Sequence, residues 1–216
     1  MCRLLIKVGK EEHLRLLQKE GLLYCGSVLD FAKMENDPAR GDKYENVSEL
    51  ELLSEKEIWL KPSQDRNVPW KGLNVTYGQM RIKVDDYKGN IFCMGQFPLS
   101  KQSGNSCINI DSRFLGEFGK HYLLILDQPE FFRRIHKTLD KAEIRYERGV
   151  VSYDDLKNFT GIKSTFLKDN SYSWQSEYRI FINTGKTEKQ EFRIGNIEDI
   201  TLLGELNKST VFKIRR

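Results

Sequence analysis

Polar and apolar residues alternate over many short stretches of the chain, which is the period of β-strands. Alternation of this kind, or a short unbroken apolar run, predicts strands over 22–27, 75–84, 90–97, 121–126, 149–153, 177–183, 190–194, 200–203 and 211–214. Residues 47–60 mix apolar and acidic positions, and the pattern does not decide between strand and helix there.

Helical spacing occurs at two places. Leucines among charges predict a short helix over 10–20 that stops at Gly21. A longer helix is predicted over 128–141, with Pro129 near its start and four apolar residues on one face. Because most strands lie in the second half, the order predicts an α+β fold with a mixed or antiparallel sheet and flanking helices. No repeat or low-complexity linker interrupts the chain, so residues 1–216 are expected to form a single domain.

The stretch 171–182, SYSWQSEYRIFI, predicts an extended strand with two unlike faces. One face is apolar and is expected in the core: Tyr172, Trp174, Tyr178 and Ile180. The other face carries Gln175, Glu177 and Arg179. Such a polar row forms either a solvated sheet surface or the wall of a site.

Composition narrows the class of protein. Hydrophobic residues at 39% and charged residues at 31% are typical of a globular protein. A net charge of +4 permits a nucleotide or nucleic-acid partner without requiring one. The four cysteines show no C-x-x-C spacing, so neither a metal site nor disulfides are expected. No apolar run approaches the roughly 18–20 residues of a membrane span, and we expect a cytoplasmic protein without a membrane partner.

Several common sites are missing from the sequence. It contains no Walker A loop and no G-x-G-x-x-G after a strand, so phosphate cradles of those types are not predicted. The histidines lack H-x-x-H or H-E-x-x-H spacing, and no G-x-S-x-G is present.

Two polar clusters precede the row at Glu177. Tyr24-Cys25-Gly26-Ser27 ends an early strand, where a glycine lets a ligand approach the backbone. The alternative there is an ordinary strand-to-helix turn with Ser27 as the N-cap. The segment 36–45 contains Arg40, whose guanidinium suits a phosphate or carboxylate. A solvated loop of mixed charge is the alternative for that segment.

The third cluster, Gln175-Ser176-Glu177, places a Glu two residues after a Gln on one strand face, an arrangement that can hold a ribose. A carboxylate can bind ribose hydroxyls and stabilise a developing oxocarbenium ion. A Q-x-E spacing alone is not specific, so a structural role remains the alternative.

Taken in order, these clusters resemble the layout of ADP-ribosyltransferases: Tyr24 to Ser27 in an early strand, Cys93-Met94-Gly95 in a middle strand, and Gln175 to Glu177 at a late one. Most of the chain is also similar to a bacterial and phage family of unknown function, through Asn36-Asp37-Pro38, Ile91 to Met94, and Lys168 followed by Trp174 to Arg179. Some relatives of this kind look like anti-phage toxins that modify nucleic acid.

The resemblance implies a split sheet that binds NAD+ as co-substrate. It makes Glu177 the catalytic residue and gives Gln175 a place in target selection. Because the first strand has neither the His nor the Arg typical of the superfamily, Arg40 is expected to supply the cation. Catalysis is then assigned to Glu177, Arg40 and Gln175, and NAD+ binding to Tyr24, Gly26, Ser27, Arg40 and Arg179.

The expected target is nucleic acid, with single-stranded RNA favoured because a base must be unstacked to react. An antitoxin protein is a possible partner. Two alternatives stay open. One is a non-catalytic nucleotide- or nucleic-acid-binding module of the same fold. The other is a metal-dependent nuclease that uses Asp154 or Asp155 with Glu177.

Overall fold

The computed structural model describes residues 3–34, 37, 39–60, 69–84, 88–98, 100–102, 105–108, 110–207 and 212–214. Its strands are β1 (Arg3–Gly9), β2 (Leu22–Ser27), β3 (Val47–Leu60), β4 (Lys71–Lys83), β5 (Asn90–Pro98), β6 (Ser100–Gln102), β7 (Asn105–Ile108), β8 (His121–Ile125), β9 (Tyr146–Val150), β10 (Ser152–Asp154), β11 (Gly161–Ile162), β12 (Leu167–Asp169), β13 (Glu177–Ile182), β14 (Gln190–Arg193), β15 (Thr201–Glu205) and β16 (Phe212–Ile214). Its helices are α1 (Glu11–Glu20), α2 (Val28–Lys33), α3 (Arg113–Glu117) and α4 (Gln128–Lys141), with 3₁₀-helices at Asn170–Gln175 and Glu198–Ile200.

The main sheet has eight strands and is antiparallel throughout. Its order is β14-β2-β5-β1-β8-β15, and β13 pairs with both β5 and β9. The prediction of an α+β fold with a largely antiparallel sheet is therefore confirmed. No helix in the described ranges is both long and apolar enough to cross a membrane.

The sheet forks along β5. One edge of β5 pairs, from Asn90 to Gly95, with the whole of β13. The opposite edge pairs with β2 at Asn90 and Ile91 and with β1 only from Gly95 onward. The strands β1 and β2 therefore diverge beside the middle of β5, and this fork brings several polar side chains to one place.

Helices α1 and α4 cover the core as their patterns predict. Asp127 caps α4 by accepting a hydrogen bond from the Glu130 N–H at 3.0 Å. Its apolar face is buried: Phe131, Phe132, Ile135 and Leu139. At the end of α1, Gly21 adopts a left-handed φ of 63°. A Cβ at Gly21 would lie 2.1 Å from the Gly195 carbonyl oxygen, so only glycine fits there.

Residues 47–60, undecided by sequence, form the long strand β3, which pairs with β4 into a two-stranded ribbon. β4 begins at Lys71, four residues before the predicted position 75. The alternation is weak here because many ribbon side chains on both faces are exposed, so neither face has to be uniformly apolar. The segment 149–153 is divided at Val151 between β9 and β10, and residue 211 lies outside the described ranges.

The prediction of one continuous strand over 171–182 is wrong. A 3₁₀-helix occupies Asn170–Gln175, Ser176 has a left-handed φ of 43°, and the strand begins at Glu177. The helix forms because Asp169 caps it by accepting a hydrogen bond from the Ser171 N–H at 3.1 Å.

The expected single apolar face of this stretch is consequently divided. Tyr178 and Ile180 lie in the main core. Trp174 packs on a second apolar cluster, where its ring contacts Phe114 at a centroid distance of 5.3 Å. Tyr172 points elsewhere and donates its hydroxyl proton to the Gly41 carbonyl.

Candidate active site around Glu177

The start of β13 is fixed beside the end of β5. The Ser176 hydroxyl donates to the Gln96 carbonyl at 2.7 Å, and the Gln96 N–H donates back to the Ser176 carbonyl at 2.7 Å. The Glu177 N–H donates to the Tyr153 hydroxyl at 2.8 Å. These bonds orient Glu177 on the face of the sheet opposite the main core.

Three groups hold the Glu177 carboxylate. Oε1 accepts from Arg179 Nε at 2.8 Å and from the Cys93 thiol at 2.9 Å, while Oε2 accepts from Lys168 Nζ at 3.0 Å. The residue is only 4% exposed. Burial would raise the pKa of Glu177, but the charges of Arg179 and Lys168 and the hydrogen bonds hold that pKa well below its usual range. Glu177 is therefore ionised at neutral pH.

Arg179 links Glu177 to a second buried carboxylate. Its Nη1 donates to Glu45 Oε1 at 2.6 Å and its Nη2 donates to Glu45 Oε2 at 3.3 Å. Nη1 also donates to the Thr165 carbonyl. Burial would lower the pKa of Arg179, but Glu177 and Glu45 hold it well above the usual value. Lys168, Glu177, Arg179 and Glu45 thus form a buried chain of alternating charges, which we call the charge chain.

The loop 39–45, which we call the covering loop, packs beside the charge chain and contributes Glu45 to it. The side-chain NH₂ of Gln175 donates to the Ala39 carbonyl at 2.7 Å, and its oxygen accepts from Lys168 at 3.1 Å. The hydroxyl of Tyr172 binds the Gly41 carbonyl of the same loop. Gln175 and Tyr172, both from the 3₁₀-helix, therefore hold this loop against the helix that precedes Glu177.

Lys7 of β1 reaches into the fork. Its ammonium donates to the Cys93 carbonyl at 2.6 Å, on the part of β5 that neither β1 nor β2 pairs with, and lies 4.5 Å from the centroid of the Phe92 ring. Burial lowers the pKa of Lys7 and nearby Arg40 lowers it further, against the opposing effects of the two neighbouring thiols and Glu177. In the described structure, the hydrogen bond of Lys7 goes to a carbonyl and not to a carboxylate.

Sequence reasoning missed both β1 and Lys7. The available signal was the segment 4–8, LLIKV, in which one charged residue interrupts an apolar run. A lysine at such a position is either at a strand edge or directed into a polar site. Sequence reasoning also did not single out Glu45 as a site residue, although it is the second carboxylate of the charge chain.

The early cluster has local structural contacts. Ser27 accepts a hydrogen bond from the Asp30 N–H at 3.0 Å and caps α2, as the alternative interpretation expected. A Cβ at Gly26 would lie 2.7 Å from the Phe31 ring, so the missing side chain at this position leaves room for Phe31. Tyr24 is half-exposed, with Lys189 Nζ 5.4 Å from its ring centroid.

Arg40 lies at the margin of the charge chain. Its side chain is exposed, and its N–H donates to Asp37 Oδ1 at 3.0 Å. The structure thus gathers Glu177, Gln175 and Arg179 in one network, and among the described residues no contact places the Arg40 guanidinium in it. Asn36 and Pro38 lie outside the described residues.

In the ranges described above, no group of three or more His, Cys, Asp or Glu residues is arranged to hold a metal ion. Asp155 instead accepts hydrogen bonds from the Lys157 N–H and from the Asn158 side chain, within its own turn. Comparison of the chain with protein-family models, with curated proteins and with solved structures finds no match.

Proposed function

We propose that this protein is an NAD+-dependent ADP-ribosyltransferase that uses Glu177 and modifies nucleic acid, with single-stranded RNA the favoured target. The observation that carries the proposal is an ionised, buried carboxylate at the start of β13, which Lys168, Arg179 and the Cys93 thiol hold while the Lys7 ammonium donates to the carbonyl of the same Cys93. The toxin and antitoxin context belongs to the same proposal and rests on the sequence resemblance alone.

The charges around the fork suit a diphosphate. The buried residues on the Glu177 side carry three cations and three carboxylates: Lys163, Lys168, Arg179, Asp42, Glu45 and Glu177. Lys7, whose ammonium donates to a carbonyl, and the exposed Arg40 lie outside that set. A lysine and an arginine are the side chains that would bind the phosphates of a dinucleotide. We therefore assign Lys7 and Arg40 to the phosphates of NAD+, and Arg179 to holding Glu177 in place.

In the proposed reaction the bond between C1′ of the ribose and the nicotinamide nitrogen breaks, and nicotinamide leaves with the bonding electrons. The ribose develops oxocarbenium character, which the adjacent negative charge of Glu177 stabilises. A nucleophile of the target then forms a bond to C1′ and loses its proton to solvent. Because the pKa of Glu177 is held low, the carboxylate is a poor base and acts by charge and hydrogen bonding.

The co-substrate must displace the covering loop before it reaches the carboxylate. Lifting residues 39–41 breaks the bonds from Gln175 to Ala39 and from Tyr172 to Gly41, while Glu45 at the far end of the loop stays paired with Arg179. Two such bonds contribute about 1 kcal/mol each, so ligand binding can readily offset their loss. Gln175 is then free to turn toward the target, which is the role that the resemblance implies.

The test incubates the protein with NAD+ labelled in the adenylate part, together with single-stranded RNA, duplex DNA and protein fractions that are then separated. We expect label in the RNA, loss of most transfer in Glu177→Gln and in the exposed variant Arg40→Ala, and no change in Glu191→Gln. Circular dichroism checks that each variant is folded. Label in no fraction, or equal label with Glu177→Gln, would refute the transferase proposal.

A non-catalytic nucleotide-binding module is the second candidate. It is favoured by the complete pairing of the charge chain, since a purely structural network would show the same satisfied and buried contacts. NAD+ binding measured by calorimetry without any release of nicotinamide would support the module over the transferase.

A further inference from the structure

Among the described strands, β4 is the outer strand of the ribbon that it forms with β3. β4 runs for 13 residues from Lys71 to Lys83, and within the described part of the chain its backbone pairs with β3 alone. The ribbon joins the rest of the protein through β11, which pairs with Glu49 and Leu50 of β3, and through the side chains of Tyr77 and Gln79, which donate to the turn 156–158. The outer edge of β4 therefore presents backbone N–H and C=O groups over about 40 Å, at 3.3 Å per residue.

This edge lacks the usual protection against strand pairing. Natural sheets blunt an exposed edge with lysines, prolines or a bulge. The central residues 72–80 of β4, GLNVTYGQM, contain neither a charge nor a proline. Several of their side chains are exposed, including Leu73 at 48%, Tyr77 at 65% and Met80 at 42%. A long, uncharged and exposed edge strand is a template for another strand.

The charges at the two ends of β4 indicate what would pair with it. Lys71 lies at one end and Arg81 and Lys83 lie at the other, and β4 contains no Asp or Glu. Opposite charges across neighbouring strands stabilise pairing, and like charges destabilise it. A complementary strand has an uncharged middle and acidic residues at both ends.

Other occupants fit this edge less well. The described ribbon carries four carboxylates, Glu49, Glu51, Glu55 and Glu57, which balance its four cations, Lys56, Lys71, Arg81 and Lys83. A polyanionic nucleic acid therefore gains no net attraction from the ribbon. In an antiparallel pair of β4 strands centred on Tyr77, Lys71 of one copy would face Lys83 of the other. Such a homodimer is disfavoured by like charge.

We propose that the outer edge of β4 is a docking site for an extended, acidic-ended segment of a partner polypeptide, which adds to the ribbon as a third strand. Backbone hydrogen bonds along residues 72–80 give the affinity, and Lys71, Arg81 and Lys83 set the register and the preference for an acidic partner. This site does not depend on the proposed transferase function.

The probe is a fluorescent 13-residue peptide of alternating valine and threonine with glutamates at both ends, matched in length to β4. A second peptide carries lysines in place of the glutamates. Binding to the full-length protein is measured by anisotropy, and amide hydrogen exchange locates the site. We expect the acidic peptide to bind more tightly and to protect the amides of 71–83.

A charge-reversal variant tests whether the cations at the ends of β4 select the acidic peptide. The triple variant with Lys71→Glu, Arg81→Glu and Lys83→Glu should bind the acidic peptide about tenfold more weakly and should prefer the lysine peptide. The matched control reverses Lys19, Lys33 and Lys141, three exposed helical lysines, and should bind as the unmodified protein does. Equal binding of both peptides, or protection elsewhere, would overturn the proposal. The proposal would also be overturned if an oligouridine protected the amides of 71–83. Protection of the same amides by self-association, seen in sedimentation, would overturn it too, because either result would assign the edge to another occupant.

Discussion

Lys168 and Glu177 offer the most direct perturbation of the charge chain, because they hydrogen bond at 3.0 Å and both are buried. Lys168→Met leaves one uncompensated negative charge in the chain, and Glu177→Gln leaves one uncompensated positive charge. Breaking a buried pair from one side costs roughly 3–5 kcal/mol. The double variant removes both charges and leaves Arg179 paired with Glu45 at 2.6 Å.

The double variant should therefore lose much less free energy of unfolding than the two single variants lose in sum. We expect a coupling free energy of about 3 kcal/mol, near the upper end for contacting residues. Urea unfolding at pH 7 gives each free energy, provided that the m-value stays constant across the series. Even if a single variant is largely unfolded, recovery of folding in the double variant gives the same result.

The matched control is the exposed pair Arg15 and Glu11 on α1, which meets at 2.6 Å. A double-mutant cycle there, with Arg15→Met and Glu11→Gln, should give a coupling of no more than about 0.5 kcal/mol. A coupling at Lys168 and Glu177 as small as that of the control would refute the reasoning that these charges depend on each other.

Three further predictions follow from the site. The pKa of Glu177 is lower in the folded protein than in the unfolded chain, where it is about 4.3, so the ionised carboxylate stabilises the fold above that pH. This contribution to the free energy of unfolding is lost as the pH falls through the acidic range. Glu177→Gln lacks it, so the urea stability of that variant should fall less on acidification. Lys7→Met should weaken NAD+ binding in calorimetry by about tenfold, whereas Lys7→Arg should retain most of it; equal binding by Lys7→Met would remove Lys7 from the phosphate site. Gly26→Ala should destabilise the protein by about 1–3 kcal/mol in thermal unfolding, because the new methyl group meets the Phe31 ring; an unchanged melting temperature would contradict the close contact.

The elements with one clear apolar face could be predicted from the sequence. In α4, four apolar residues at helical spacing all became buried, and β8 followed from its apolar run. The ribbon strand β3 could not be assigned, because side chains on both of its faces are partly exposed and periodicity then carries little information. The break at Ser176 depends on the cap from Asp169, a local hydrogen bond that competes with the strand pattern.

The candidate site was predicted in part. The sequence singled out Glu177, Gln175 and Arg179, and the structure places all three in one network. Lys7 and Glu45 lie more than 130 residues away from Glu177 along the chain, and only the pairing of β1 with β5 and the path of the covering loop bring them close. Contacts of such long sequence separation leave no periodic signal.

The Cys93 thiol makes the hydrogen bond to Glu177 observable without a ligand. Burial and the neighbouring charge of Glu177 raise the pKa of this thiol far above neutral, so it stays protonated while it donates to Glu177. The Cys93 side chain is nevertheless partly exposed, whereas Cys25 is buried and burial raises its pKa to about 12. Removing the Glu177 charge takes away one of the two effects that hold the proton on Cys93. The rate at which alkylating reagents modify Cys93, read by mass spectrometry, thus reports on the charge of Glu177.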